Sequence, residues 1–273
     1  MRPRTLAHLS DLHLGLSPTF ERRSAEICRT LLQLGVDHVV VTGDVTHKGR
    51  HSELRTFEAI FDPLLSSGRM TVVPGNHDRV DEDAGSVLMA GERVRVTRSP
   101  GLWLIQIDST AERNRSFFAP HGELSEEVLA QVEEALSMAP EDALCVILLH
   151  HHPLPMPEET WGERFAATMG WPHSRELELG HELVRLAEGR CDLILHGHRH
   201  IPHELVEGAG YARALRVFNG GATTELMRFR LFTHARGKLV GSPTWIPVGA
   251  EAVQAPRSSA VLSALHELRG VFV

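Results

Sequence analysis

Five polar clusters in this 273-residue chain each follow an apolar run of strand length, and that placement constrains the fold more than any other feature. They are Asp11-Leu-His13, Gly43-Asp44, Gly75-Asn76-His77-Asp78, His150-His151-His152-Pro153 and Gly197-His198-Arg199-His200. In an open α/β sheet the carboxyl ends of the strands converge on one crevice, so side chains distant in sequence can meet there. A fold that satisfies the pattern brings all five strand ends to the same edge.

The rest of the pattern agrees. Short apolar runs alternate with longer amphipathic ones, as in strands joined by helical crossovers. The spacing predicts strands over 5–9, 38–42 and 70–73 with helices over about 20–34 and 52–65 between them, a parallel βαβαβ start with right-handed crossovers. A strand over 102–107, a helix near 125–138 opened by a Ser cap, and the strongly apolar strand 144–149 continue it. Residues 153–172 are rich in Pro, Gly and Trp, lack a period, and read as a long loop or lid. A helix near 175–187 leads to a strand over 192–195. Short runs at 203–206, 214–218, 227–233 and 238–240 are then expected to form an antiparallel meander completing a second sheet. The tail 250–273 is expected to carry a last helix over 260–268 that packs on the body. Without a repeat or a domain-separating linker, the expectation is one layered α/β domain over 1–273.

Composition narrows the function classes. Hydrophobic residues at 42% and charged residues at 23% are the balance of a soluble globular protein. A net charge of -7 and a pI near 6.2 argue against a surface built to neutralise a nucleic-acid backbone. Cys28, Cys145 and Cys191 are widely spaced and form no CxxC pair, so they read as thiols in a reducing compartment. The amino-terminal stretch is interrupted early by Asp11 and His13, and no run approaches a membrane span, so a cytoplasmic location is expected. Histidine is the outlier, with 18 against 10 Phe and 1 Tyr, and neutral imidazole is the commonest protein ligand for transition metals.

Taken singly, each cluster has an ordinary structural explanation: Asp-x-His as a capping Asp with an incidental His, Gly-Asp as a plain turn. His8 alternates with apolar neighbours and reads as a satisfied core histidine. Asp78 and His196 read as groups that orient ligands or merely stabilise turns. His47, Lys48, Arg79, Arg113, Arg115, His152 and Arg199 are candidate substrate contacts, although solvated loop residues are the more ordinary reading. What carries weight is five clusters together, all at strand ends and all supplying Asp, Asn or His.

In that order the motifs DxH, GD, GNHD, His-His-Pro and GHxH resemble the calcineurin-like metallophosphoesterase superfamily, and within it the bacterial class III cyclic-nucleotide phosphodiesterases. The resemblance runs from Asp11 to His200. It implies a four-layer α/β/β/α sandwich with two mixed β-sheets flanked by helices. It also implies two divalent transition-metal ions, Mn, Fe, Zn or Co, the first held by Asp11, His13, Asp44 and His200. Asp44 would bridge to the second, completed by Asn76, His151 and His198. The choice of His151 within the triplet follows the family habit of a ligand, one residue, then Pro. His77 would face the phosphate, as proton donor to the leaving oxygen or as a partner of a non-bridging oxygen.

Those residue types suit the chemistry independently. Mixed carboxylate and imidazole ligands favour borderline divalent ions over Mg or Ca. Two such ions, less Asp11, Asp44 and a bridging hydroxide, leave about one positive charge for an anionic phosphoryl group. Asn76 coordinates without cancelling it. The implied substrate is a small phosphodiester, with cyclic nucleotides first; a DNA or RNA nuclease is the runner-up, disfavoured by the acidic balance. A silent phosphoesterase-like scaffold would show eroded ligands, and none is eroded here.

Overall fold

The computed structural model describes residues 2–115, 121–156, 177–211 and 213–249. Strands β1 (Arg4–Leu9), β2 (His38–Thr42) and β3 (Met70–Val73) are parallel neighbours, joined by helices α1 (Pro18–Leu34) and α2 (His51–Leu65). Helix α1 begins with Pro18 and ends at Gly35, whose φ of 63° lets its N–H return to the Leu31 and Leu32 carbonyls. It buries Ser24, Ile27, Cys28 and Leu31, one stripe at helical spacing. Helix α2 is held at its start by Glu53, which accepts the N–H groups of Lys48 and Arg50, and it buries Leu54, Phe57, Phe61 and Leu64.

The second sheet is built from β4 (Val94–Ser99), β5 (Leu102–Ile107), β6 (Leu144–Leu148), β7 (Leu193–His196), β8 (His203–Glu207) and β9 (Leu215–Asn219). Their spatial order is β4-β5-β6-β7-β9-β8, with β5, β6, β7 and β9 parallel and the two edges antiparallel. Helices α3 (Glu126–Ser137) and α4 (Gly180–Ala187) cover its outer face, and Ser125 Oγ caps α3 by accepting from Val128 N at 3.3 Å.

Period-two alternation assembles the layers. On β6, Leu144, Val146 and Leu148 face the other sheet, while Cys145 and Ile147 face α3 and α4. On β1, Leu6 joins the layer between the sheets, and Ala7 and Leu9 join the layer under α1 and α2. Three apolar layers thus alternate with two sheets, which is the expected four-layer sandwich of two mixed sheets. Each fully buried Phe, such as Phe57 or Phe61, contributes roughly 1.5–3 kcal/mol relative to exposure.

Several expectations need correction. The late strands do not form one meander. After β9 and the short helix α5 (Thr223–Leu226), strand β10 (Arg228–Ala235) crosses to the first sheet and pairs antiparallel with β1, Leu6 opposite Phe232. Strands β11 (Lys238–Leu239) and β12 (Thr244–Pro247) extend that sheet beyond β10. The reason is burial on both faces: Phe229 and Leu231 fill the layer under the helices and Phe232 the layer between sheets. A strand needing cover on both sides is satisfied beside β1. Strand β4 was not foreseen, because its VRVTRS sequence is half-exposed and polar, as suits an edge. Residues 157–176, most of the expected lid and the start of the helix near 175–187, lie outside the described residues, as does the tail 250–273.

Candidate metal centre

The ends of β1, β2, β3, β6 and β7 deliver the five clusters to one buried place. Backbone bonds stitch the loops together: Asp11 N donates to Gly43 O at 3.1 Å, His13 N to Asp44 O at 2.9 Å, and Gly197 N to His150 O at 3.0 Å. Asp11, His13, Asp44, His198 and His200 all lie in the left-handed backbone region, with φ of 54°, 49°, 51°, 72° and 42°. Each such residue costs on the order of 1–2 kcal/mol, so the surrounding bonds must hold them there. The glycines permit the close approach. A Cβ on Gly75 would collide with Asp44 Oδ1, and one on Gly197 would collide with Ser10 Oγ and stand 2.6 Å from Asp11 Oδ2.

Two groups of side chains share Asp44. In the first, His13 Nε2 and His200 Nε2 are 3.0 Å apart, His200 Nε2 is 3.6 Å from Asp11 Oδ1, and His13 Nε2 is 3.9 Å from Asp44 Oδ2. In the second, Asn76 Oδ1 lies 3.0 Å from both His150 Nε2 and His198 Nδ1, and His150 Nε2 lies 3.4 Å from Asp44 Oδ2. Asp44 Oδ1 accepts the His77 N–H at 2.9 Å, which turns Oδ2 toward both groups. His151 packs its ring 4.8 Å from His198 and 5.0 Å from His150, and its Nδ1 is 2.9 Å from Ser109 Oγ.

Electrostatics separate the histidines. Burial holds His13 down at about 3, against the pull of Asp44, and burial with neighbouring histidines holds His198 well below its ordinary value. Both are neutral imidazoles with lone pairs to give. His150 is the exception: burial opposes its charge, but Asp44, by charge and hydrogen bond, and Asp11 raise it to about 9. Burial would raise Asp44, yet His150 and His77 hold it well below the carboxylate range. Burial raises Asp11, partly offset by His200 and His150.

These residues fit a pair of divalent cations. Asp11, Asp44 and His150 are fully or almost fully buried, and groupings of His and Asp ligand atoms within 4.8 Å include Asp11-His13-His200, Asp11-Asp44-His150 and His150-His151-His198. Two imidazole Nε2 atoms facing each other at 3.0 Å, beside a carboxylate, satisfy each other only if one carries a proton; a cation between them takes both lone pairs. Carboxylate, imidazole and amide oxygen together match borderline divalent ions.

All eight residues singled out in the sequence, Asp11, His13, Asp44, Asn76, His77, His151, His198 and His200, meet here. His77 Nδ1 donates to the His47 carbonyl at 2.8 Å, and the two rings stack at 5.6 Å. His8 is a core histidine, as expected, but only half satisfied: Nε2 lies 2.8 Å from Thr42 Oγ1, while Nδ1 has no hydrogen-bond partner. Arg79 pairs with Asp83, whereas His152 and Arg199 are buried rather than solvated. The side chains of Arg113 and Arg115 lie outside the described residues. Sequence reasoning missed Ser109, which follows β5 as the other clusters follow their strands, and Glu225, whose Oε1 stands 3.7 Å from His200 Nδ1. The signal for Ser109 was its position after an apolar strand, masked by turn-like Asp108-Ser109-Thr110.

A sandwich of two mixed sheets with buried carboxylates and imidazoles pooled at its strand ends defines the class of α/β proteins built around a metal-binding crevice. The chain belongs to the calcineurin-like phosphoesterase family, whose model matches residues 4–202. It is 33% identical over 163 residues to the Escherichia coli K12 protein named 3′,5′-cyclic adenosine monophosphate phosphodiesterase CpdA, covering 53% of this chain and 54% of that one. It is 28% identical over 165 residues to the cAMP/cGMP dual specificity phosphodiesterase MT0825 of Mycobacterium tuberculosis, covering 55% and 50%. The chain thus spans about half the length of these curated relatives. Among solved structures, a dimetal phosphatase from Danio rerio shares the fold, with a TM-score of 0.54 and 12% identity over 90% of this chain and 99% of that one.

Proposed function

We propose that this chain is a dinuclear metal-dependent phosphodiesterase acting on small phosphodiesters, with cyclic nucleotides the first class to test. The observation that supports it most is the pair of ligand groups sharing Asp44 Oδ2. The printed names of the bacterial relatives support the substrate class. Three buried free cysteines support a cytoplasmic location, and no helix among the described residues is long and apolar enough to cross a membrane.

In this reading Asp11, His13, Asp44 and His200 hold one ion, and Asp44, Asn76 and His198 hold the other with a histidine of the triplet. The family spacing points to His151 for that last position; the distances favour His150. Its Nδ1 donates to the Thr42 carbonyl at 2.8 Å, so Nε2, which faces Asp44 and Asn76, is the nitrogen that would coordinate once a cation replaced its proton. Bound divalent ions supply electrophilic stabilisation of the phosphoryl charge and a nucleophile at neutral pH. Asn76 contributes a neutral oxygen and so preserves attraction for an anion. With its Nδ1 hydrogen committed to the His47 carbonyl, His77 would meet the leaving oxygen through Nε2.

The test is metal analysis together with a Mn-supplemented screen over an aryl phosphodiester, an aryl phosphomonoester, cyclic nucleotides and single-stranded DNA. The diester is expected to react faster than the monoester, with Asn76→Ala losing the second ion and His77→Ala losing turnover while keeping both. A wild-type protein that binds no transition metal would end the proposal, and preference for single-stranded DNA would make it a nuclease.

A further inference from the structure

Between β9 and β10 the chain crosses from the second sheet to the first through Asn219-Gly220-Gly221-Ala222-Thr223-Thr224, a segment that carries none of the five motifs. It is bonded to both loops that supply the first group of ligands. Toward β7, Gly220 N donates to His196 O at 2.8 Å, Asn219 Nδ2 to Gly197 O at 2.7 Å and Ala222 N to His200 O at 3.1 Å. Gly221, at a φ of 67°, makes the turn, and Asn219 Oδ1 accepts its N–H at 2.7 Å. Toward β1, Thr223 exchanges two bonds with Ser10, its N–H donating to the Ser10 carbonyl and its Oγ1 accepting the Ser10 N–H, both at 2.9 Å. Thr224 Oγ1 faces the carbonyls of Asp11 and Leu12, each at 3.2 Å, and its single hydrogen is shared between them. Arg23 of α1 donates to the Thr224 carbonyl at 3.1 Å, and Asn219, Ala222, Thr223 and Thr224 are all buried.

We propose that this crossing braces the first metal position, with Thr223 and Thr224 as positioning residues that fix the Asp11-His13 loop against the His198-His200 loop. The ion itself rests on the dinuclear reading above; the hydrogen bonds do not. Asp11, His13 and His200 each hold a left-handed backbone, so their aim depends on bonds made to that backbone from outside. The two loops have few bonds of their own to supply it. His198 N donates to the Asp11 carboxylate at 3.2 Å, and the ring nitrogens of His13 and His200 meet at 3.0 Å. Both contacts use groups that a cation would claim. Threonine bonds aimed at the backbone hold the same two loops without consuming a ligand lone pair, and they survive when the ion binds. Neither threonine bonds to the loops after β2 and β3, so the brace acts on the first position and leaves Asp44 and Asn76 to their own supports.

The experiment is calorimetric titration of chelator-treated protein with Mn in two backgrounds, Asn76→Ala to isolate the first position and His13→Ala to isolate the second. Thr224→Val keeps the side-chain volume and removes the hydroxyl. It is expected to weaken the first ion roughly tenfold and to leave the second unchanged, and Thr224→Ser to restore the first. Thr223→Val removes only the acceptor of the Ser10 N–H, and is the milder variant in which the same selectivity is expected should Thr224→Val fail to fold. Urea unfolding in chelator reads folded stability separately. Lower stability with the first ion bound as tightly as before overturns the proposal, and so does an equal loss at both positions or a Thr224→Ser variant that recovers stability without recovering affinity. A wild-type protein that binds no transition metal, or an Asn76→Ala or His13→Ala variant that still binds two ions, overturns the functional reading and the brace together. Two ions in wild type, one in each background and no selective loss in the threonine variants overturn the brace alone.

Discussion

His13 and His200 turn their Nε2 atoms toward each other across 3.0 Å, from loops 187 residues apart in sequence. Beside them lie the carboxylates of Asp11 and Asp44, both buried. Without a cation the two buried carboxylates are balanced only by the raised His150, and His13 and His200 satisfy each other only if one of them carries a proton, which is a costly arrangement.

The first prediction follows from that cost. A ligand that binds only the folded state stabilises it by about 2.7 kcal/mol at 100 times its dissociation constant. Adding Mn to chelator-treated protein is therefore expected to raise the melting temperature by on the order of 5 °C, and His200→Ala to give a smaller rise. An unchanged melting temperature would mean that the residues are clustered for some other reason.

The second prediction concerns packing at Gly197. A Cβ there would collide with Ser10 Oγ and crowd Asp11 Oδ2, the carboxylate that also receives the His198 N–H at 3.2 Å. Gly197→Ala is expected to cost about 1–3 kcal/mol in chemical denaturation and to weaken binding of the first ion. Full stability with normal metal content would show that the β1 and β7 loops can part without consequence.

The order of legibility in this chain has a physical basis. Asp11, Asp44, Asn76 and His198 were readable because each directly follows an apolar strand, and parallel strand ends converge. The burial of β6 was readable from its unbroken apolar run, LCVIL, although that run has no period of two and does not say which residues face which layer. The crossing of β10 to the first sheet was not, because pairing with β1 joins residues more than 200 positions apart and the sequence of β10 says only that it is buried on both faces. The choice between His150 and His151 was also hidden. Beyond Leu148 the strand ends, alternation stops, and the direction of each ring depends on Thr42 and Ser109, which carry no motif.

The third prediction is an acid sensitivity separate from the metal site. Burial lowers His8 to about 3 and His38 and His234 to about 4, with Arg230 assisting at His8, Arg69 at His38, and Asp37 opposing at His234. Each lies in the sheet and has a buried nitrogen without a hydrogen-bond partner: His8 Nδ1, His38 Nδ1 and His234 Nε2. The unfolded chain takes up protons near pH 6.5 that the folded chain refuses, so this stability is complete above about 6.5 and is lost as pH falls toward 4. Urea unfolding across that window, in chelator, is expected to show the loss. His38→Gln should flatten the slope by about one proton, or about 1.4 kcal/mol per pH unit. An unaltered slope would place the acid sensitivity in the carboxylates instead.

The fourth prediction concerns Asp78, which touches neither group of ligands yet ties their loops together. Its carboxylate accepts from Gly75 N at 2.8 Å, Thr46 N at 2.8 Å, Thr46 Oγ1 at 2.7 Å and Val45 N at 3.3 Å. Gly75 precedes Asn76, and Val45 follows Asp44, so one carboxylate sets the distance between the shared ligand and the amide of the second group. Asp78→Asn keeps the volume but turns an NH₂ toward groups that themselves donate, leaving buried donors unpaired at a cost of about 1–3 kcal/mol. If the pair of loops is what aims Asp44 and Asn76, affinity for the second ion should fall by roughly tenfold, and diester hydrolysis should fall with it and recover at high metal concentration. Loss of stability with the second ion bound as tightly as before would show that Asp78 only secures the turn, and that Asp44 and Asn76 are aimed by their own strands.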